Sequence, residues 1–107
     1  MISIIHVDIH CNDKRQISAI DVKLKSFKDQ DRNTVSGHPL VTTVSMAFYM
    51  TTLLTDSGKS LTTTLNPKRK DIVNLSVTLD KGNTLSFTDV ANFITALQDA
   101  LDKTTLF

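Results

Sequence analysis

The residues that could do chemistry appear first in a short run near the N-terminus, from His6 to His10. In an extended strand His6, Asp8 and His10 share one face, with neighbours about 6.6–6.8 Å apart. Imidazole and carboxylate groups bind zinc, but such a site needs three or four converging ligands. His38 or Asp21 has the chemistry to complete it. The run therefore predicts a metal site, and a merely polar strand face is the alternative.

Two other short patterns fail the requirements of the chemistry they suggest. Cys11 would need a base within hydrogen-bond distance to act as a nucleophile, and adjacent His10 points to the opposite face of the strand. We therefore predict a buried, inert cysteine. The Gly-Lys-Ser tripeptide at 58–60 resembles the end of a phosphate-binding loop, but the glycine required five residues earlier is Leu53. The sequence predicts no catalytic residue and no cofactor.

Positive charge is concentrated in the run 67–70, which suggests contact with nucleic acid. Residues of this run and of a neighbouring strand could line one side of a sheet and contact a phosphate backbone. The predicted contacts are Lys23, Lys25, Lys68, Arg69 and Lys70. The formal net charge of +1 lacks the basic excess of a dedicated duplex-binding protein. A solvated turn is therefore the alternative for 67–70.

The segment 46–50 has the composition of a protein interface. Methionine and aromatic residues are enriched at such surfaces, and here apolar residues fall on both faces of an extended segment. The predicted partner contacts are Met46, Tyr49 and Met50. A central buried strand would give the same pattern and is the alternative.

The elements that must position these residues are mainly strands. Alternating or apolar runs bounded by turn residues predict strands at 2–10, 16–25, 60–65, 72–79 and 84–87. The first carries apolar residues on both faces at its start, which suggests that it is covered on both sides. The segment 40–54 fits two templates. Its β-branched and aromatic content favours a strand, whereas Pro39 would suit the first position of a helix.

The C-terminal element is predicted to be an amphipathic helix over 88–103, because apolar residues recur there at intervals of three and four. Thr88 could cap it. Alternatively, Ser86 and Asp89 form a capping box, with Leu85 packing against Val90. A polar, aperiodic stretch at 28–38 is predicted to be the longest loop.

These elements predict an α+β fold, with a mainly antiparallel sheet of five or six strands and the C-terminal helix packed on one face. The 107 residues fit a single domain, 1–107. No run approaches the roughly 20 apolar residues of a membrane span, and the N-terminus lacks the pattern of a signal peptide. The single cysteine excludes an internal disulfide. We therefore expect a cytoplasmic protein without membrane contact.

An open sheet exposes edges that can pair with another chain. We therefore predict a small, non-enzymatic interaction module that forms homo-oligomers or binds a protein partner. Nucleic-acid binding through the basic residues and a metal-dependent site on the first strand are the alternatives.

Overall fold

A computed structural model of the chain describes residues 2–26, 39–50, 59–69 and 71–103. The elements in chain order are β1 (Ile2–Cys11), β2 (Ile17–Ser26), α1 (Pro39–Met50), β3 (Leu61–Arg69), β4 (Ile72–Leu79) and α2 (Phe87–Lys103). The strands form an antiparallel sheet in the order β1-β2-β4-β3. The predicted α+β class, antiparallel sheet and C-terminal helix are confirmed.

The prediction of five or six strands is wrong, because the described residues form four. Of the segment 40–54, residues up to Met50 are helical in α1, and 51–54 lie outside the described residues. The predicted strand at 84–87 is reduced to a single bridge between Leu85 and Ile17. The chain turns directly into α2 at Phe87, which leaves no length for a ladder. The predicted loop at 28–38 also lies outside the described residues.

The central strands β2 and β4 follow the predicted alternation, with one face turned to the helices. This inner face carries Ile20, Val22, Leu24, Val73, Leu75, Val77 and Leu79, all of them buried. Each such side chain contributes about 1.5–3 kcal/mol of burial free energy before entropy is counted. The same strands turn polar side chains to the other face of the sheet, which we call the outer face.

β1 accommodates its misplaced apolar residues with a β-bulge. Ile4 and His6 pair with consecutive residues of β2, so Ile5 is the extra residue, and it is 44% exposed. The bulge shifts the two-residue alternation and thereby brings Ile4 onto the same face as Val7. Both pack against the core. A bulge, and not a second covering layer, explains why apolar residues occupy both faces in the simple pattern.

α2 begins with a capping box between Ser86 and Asp89, so Ser86 is the capping residue and Thr88 is not. The Ser86 amide donates to Asp89 Oδ2 at 3.0 Å, and the Asp89 amide donates to Ser86 Oγ at 3.0 Å. These hydrogen bonds hold the pKa of Asp89 below its ordinary value. Leu85 and Val90 are both buried beside the cap, as the capping pattern predicts.

The two helices divide the inner face of the sheet between them. α1 contacts β3 and β4, α2 contacts β1, and the helices contact each other. Phe48 of α1 and Phe93 of α2 meet edge to face, with ring centroids 6.0 Å apart. Within the described ranges, neither helix combines the length and apolar character needed to cross a bilayer.

Candidate interaction surfaces

β3 is an outer strand of the sheet, and its first half carries no charge. Residues 61–65 alternate between half-buried side chains on the helix side and exposed threonines on the outer face. Thr63, for example, pairs with Val77 of the core, whereas Thr62 pairs with Thr78. The second half differs, because Pro67 is followed by a register shift and by two cations.

A groove of about 380 Å³ runs between this first half of β3 and α1. Most of its lining is apolar or aromatic, and it consists of Ser45, Phe48, Tyr49, Leu61, Thr63, Leu65 and Leu75. The groove exists because α1 lies over β3 and β4 without closing on the outer strand. Leu61 and Leu65 were not predicted as surface residues of this kind, since their strand pattern alone does not show what covers them.

The predicted interface residues of α1 are exposed where the structure describes their side chains. Tyr49 is 79% exposed and borders the groove, and Met46 is 55% exposed. Met50 belongs to α1, but its side chain lies outside the description. Large apolar side chains at this exposure are typical of surfaces that bind a partner when they adjoin a groove.

The opposite edge of the sheet, β1, is covered at its start. The side-chain amide of Gln98 in α2 donates to the Ile2 carbonyl at 3.2 Å and accepts from the Ile4 amide at 3.1 Å. These bonds occupy backbone groups that an approaching strand would need. In the sequence, Gln98 is a polar residue beside the apolar stripe of α2, but the sequence does not show which strand this residue contacts.

The run from His6 to His10 lies on the exposed outer face, but its three polar side chains do not converge. His6 Nε2 contacts Asp8 Oδ1 at 2.8 Å, whereas His10 Nε2 donates to Asp21 Oδ2 at 2.6 Å. In the part of the chain that the structure describes, no three histidine, cysteine or acidic side chains form a group that could hold a metal ion. His38 lies outside that part, and the metal site stays a prediction.

Asp21 is the centre of the polar contacts on the outer face. Its carboxylate accepts from Ser76 Oγ on β4 as well as from His10 on β1. The Ser76 hydroxyl chiefly, and His10 in addition, hold the pKa of Asp21 below its ordinary value despite partial burial. The cluster links three strands, but it lies on an open face and not in a cavity.

The register of the sheet brings most of the predicted basic residues to one end of the outer face. Lys25 pairs with Ile72, and Ile72 pairs with Arg69, so β2, β4 and β3 bring these positions into one row. Lys23 lies two residues before Lys25, and Lys68 precedes Arg69 in the shifted part of β3. We call Lys23, Lys25, Lys68 and Arg69 the basic end. Lys70 lies outside the described residues.

Among the described residues, Arg69 of the basic end forms a close ion pair with Asp71. Arg69 Nε lies 2.7 Å from Asp71 Oδ1, so the guanidinium charge is largely compensated. Lys23 lies between His6 and Asn74 in neighbouring strands, and neither neighbour carries negative charge.

A second depression, of about 480 Å³, lies at the start of α2. Phe87 beside it is 75% exposed. Lys59 is not placed like the lysine of a phosphate-binding loop, because its ammonium donates to the Thr84 carbonyl at 2.6 Å and lies 3.4 Å from Asp89 Oδ2. The Asp89 carboxylate already occupies the cap, which disfavours an anion at this helix end.

Cys11 is exposed at the end of β1, so the prediction of a buried cysteine is wrong. The strand ends at this residue, and the inner face no longer covers it.

Comparison of the chain with protein-family models, curated proteins and solved structures gives no match. The function is therefore inferred from the geometry of these surfaces.

Proposed function

We propose that the protein is a non-enzymatic interaction module that acts as a homodimer, paired through the first half of β3. The observation that carries the proposal is an uncharged outer strand at 61–65 that adjoins an apolar groove and an exposed Tyr49. Outer strands of soluble proteins are usually bulged, charged or covered. This half-strand has a layer of apolar surface beside it instead.

A second copy of the chain fits this surface better than a single extended peptide. Antiparallel pairing of the two β3 strands about a twofold axis centred on Thr63 places Leu61 opposite the partner's Leu65. Thr62 then lies opposite the partner's Thr64, and cross-strand threonine pairs are favourable. Such a twofold contact uses the same patch on both copies.

The helix layer supports the same arrangement. Because α1 lies over β3 and β4, strand spacings of about 4.8 Å place the two copies of α1 about 10 Å apart across the axis. That distance falls in the range of helix packing, about 8–10 Å. The copies would cover each other's Tyr49 and groove, whereas a peptide strand would leave the helix layer open.

The charged second half of β3 limits the contact to 61–65. Pro67 lacks an amide to donate, and the register shift that follows bends the strand. Lys68 and Arg69 add charge, which discourages edge pairing beyond this point. The proposed interface is therefore short and depends on the groove for much of its apolar contact.

The experiment that tests the proposal is a solution mass by light scattering, with wild type and three variants at micromolar concentration. Wild type should have twice the chain mass of 11.9 kDa. Thr63→Lys places an inward-pointing charge on the outer strand, and Tyr49→Ala removes the exposed ring. Both should shift the protein towards monomer. Phe87→Ala, a matched control that removes a similarly exposed ring elsewhere, should stay dimeric.

Circular dichroism checks that each variant folds. If Thr63→Lys fails to fold, Tyr49→Ala still decides the question, because a side chain that is 79% exposed contributes little to the core. A monomeric wild type, or a folded Thr63→Lys and a Tyr49→Ala that both stay fully dimeric, would overturn the proposed β3 contact.

A further inference from the structure

The depression of about 480 Å³ at the start of α2 shares no lining residue with the groove of the proposed dimer. Most of its lining comes from two segments, 15–17 at the start of β2 and 84–87 at the start of α2. The Leu85 amide joins them by donating to the Ile17 carbonyl at 2.9 Å, and both side chains are buried. The depression therefore lies over a fixed part of the core.

Arg15 lines the depression from a backbone conformation that suits glycine. Its φ is 61°, in the left-handed region where a Cβ crowds the following carbonyl oxygen. The turn imposes this conformation, because the Arg15 amide donates to the Asn12 carbonyl at 3.0 Å and Asn12 Oδ1 accepts from the amides of Lys14 and Gln16. Among the described residues, the other positive φ, 88°, belongs to Gly82. What arginine supplies at position 15 is therefore its side chain.

The guanidinium of Arg15 is the uncompensated charge of the depression. The other cation of the lining, Lys59, donates to the Thr84 carbonyl and lies 3.4 Å from Asp89 Oδ2. Over the ranges that the structure describes, no carboxylate forms an ion pair with Arg15. Because the planar fork of arginine matches the two oxygens of a carboxylate, this charge suits a single acidic side chain.

Phe87 adds an apolar contact to the same depression. It is the first residue of α2 and is 75% exposed, so burial of its ring contributes little to the fold. Arginine and aromatic residues are both enriched where proteins bind one another. The pair of Arg15 and Phe87 therefore matches a ligand that carries a carboxylate beside an apolar side chain.

We propose that this depression binds an acidic segment of a partner protein, with a carboxylate on Arg15 and an apolar side chain against Phe87. The carboxylate is assigned to Arg15 and not to the end of α2, because the capping box already pairs the amides of Ser86 and Asp89.

A peptide segment suits the depression better than a small molecule or a nucleic acid. Sites for small molecules bury most of the ligand surface, whereas this depression is open enough to leave Phe87 exposed. A nucleic-acid backbone needs several cations, and here Arg15 offers one while the carboxylate of Asp89 in the lining repels phosphate.

The test is an NMR titration of the full isotope-labelled chain with the peptide acetyl-Glu-Phe-Glu amide. Saturable shifts are expected at the amides of Gln16, Ile17 and Phe87, with none at Leu61 or Leu65 in the groove. Acetyl-Gln-Phe-Gln amide keeps the ring and lacks both charges. It should bind about tenfold more weakly, because a hydrogen bond between charged groups contributes enough for such a change. Acetyl-Glu-Ala-Glu amide, which lacks the ring, should also bind more weakly.

Arg15→Gly separates binding from folding. Glycine adopts a positive φ without strain, so the midpoint of thermal unfolding should rise by a few degrees, while the affinity for the charged peptide falls about tenfold. Arg15→Lys keeps the charge without the planar fork and should bind with intermediate affinity. Lys14→Gln is the matched control, because it removes a charge from the same exposed turn and should leave the affinity unchanged.

Phe87→Ala should stay folded and lose affinity, because it removes only the exposed ring. Tyr49→Ala, the variant expected to be monomeric, should keep the affinity, so a failure of the dimer and a failure of this site are distinguishable.

Four outcomes would overturn the proposal. Unchanged affinity in Arg15→Gly would exclude the guanidinium contact, and a lower unfolding midpoint in that variant would show that the fold itself requires arginine. Equal binding of the uncharged peptide, or no saturable binding at millimolar peptide, would exclude an acidic ligand. Tighter binding of oligothymidylate than of the peptide at the same amides would assign the depression to a nucleic acid.

Discussion

The two outer strands of the sheet, β1 and β3, are protected to very different degrees. β1 is bulged at Ile5, carries His6, Asp8 and His10 on its exposed face, and has two of its backbone groups bonded by Gln98. β3 has comparable protection only in its second half, after Pro67. Its first half pairs with β4 without a register shift, carries no charge and lies beside an apolar groove.

The comparison shows that edge protection here is local and not a property of the whole sheet. Unpaired backbone groups invite another strand wherever they are exposed, so a chain that only had to stay monomeric would protect both edges alike. The features that protect the edges do not extend to residues 61–65 of β3, which lie beside the exposed Tyr49. We take this coincidence as the physical basis of the proposed dimer.

The helices beside the two outer strands also differ, in how the ends of each helix are stabilised. α2 begins with the Ser86 capping box and ends with a Lys103–Asp99 ion pair at 2.9 Å. α1 has no acidic residue in its first turn and no basic residue in its last, so no charged side chain within Pro39–Met50 stabilises its ends through the helix dipole. Packing against β3, β4 and α2 contributes to holding α1 in place.

The molecule has two halves, α2 with the protected strand β1 and α1 with β3. The largest expected effect tests whether these halves share one hydrophobic core. Phe93→Ala removes a fully buried ring that contacts Phe48 of α1. We expect a loss of about 3–5 kcal/mol in unfolding free energy, with both halves destabilised together. Urea unfolding followed by circular dichroism and by the fluorescence of Tyr49, the single tyrosine of the chain, measures both.

Ile94→Ala is the control for Phe93→Ala, because the neighbouring side chain is only partly buried and its removal should cost less. Coincident transitions from the two probes are expected. If the Tyr49 signal kept its wild-type midpoint in Phe93→Ala while circular dichroism shifted, the halves would fold independently, and the difference between the edges would belong to two separate units.

The sequence was sufficient to predict the central strands and α2, because in these elements the local pattern and the tertiary environment agree. β2, β4 and α2 bury one face each, and that face follows the two-residue or helical period. The segment 40–50 was ambiguous because its β-branched residues suit a strand locally. A sheet with an uncovered inner face over β3 and β4 needs a helix there, and tertiary packing decides the outcome.

The candidate surfaces were predictable only in part, because they depend on register. Met46 and Tyr49 were identified from composition, and the lysines from charge. That Lys25 and Arg69 share a row follows from the β2–β4 and β4–β3 pairings, which no local pattern specifies. The bulge at Ile5 likewise moves the following residues of β1 to the other face, and a single extra residue leaves no clear sequence signal.

A moderate effect is expected when the protected edge is opened. Gln98→Ala removes both bonds to the β1 backbone, and we expect a loss of about 1 kcal/mol, since water can partly replace the amide at an edge. The Ile4 amide should exchange with solvent faster, which hydrogen exchange by NMR measures. Asp102→Asn is the control, because it alters only the third partner of the Gln98 amide.

If Ile4 exchanged at an unchanged rate in Gln98→Ala, the bulge and the charges of β1 would be sufficient to protect the edge without α2. The solution mass of the same variant adds to the comparison. New association that persists when Tyr49→Ala is added would come from β1 and not from β3, and would show that Gln98 guards the edge against pairing.

The smallest effect concerns the charged outer face of β1 and its link to β2. Ser76→Ala removes the hydroxyl that does most to lower the pKa of Asp21, so this pKa should rise towards the ordinary value of about 3.9.

A folded-state pKa below the unfolded one stabilises the protein above the unfolded pKa, and that contribution is lost as pH falls through the folded pKa. Wild type and Ser76→Ala should therefore differ most in stability near neutral pH, and the difference should shrink below about pH 4. The exposure of Asp21 keeps it small. Carbon-detected NMR titration of the Asp21 carboxyl measures the shift directly. An unchanged pKa in Ser76→Ala would mean that His10, on the protected edge, holds the Asp21 charge by itself.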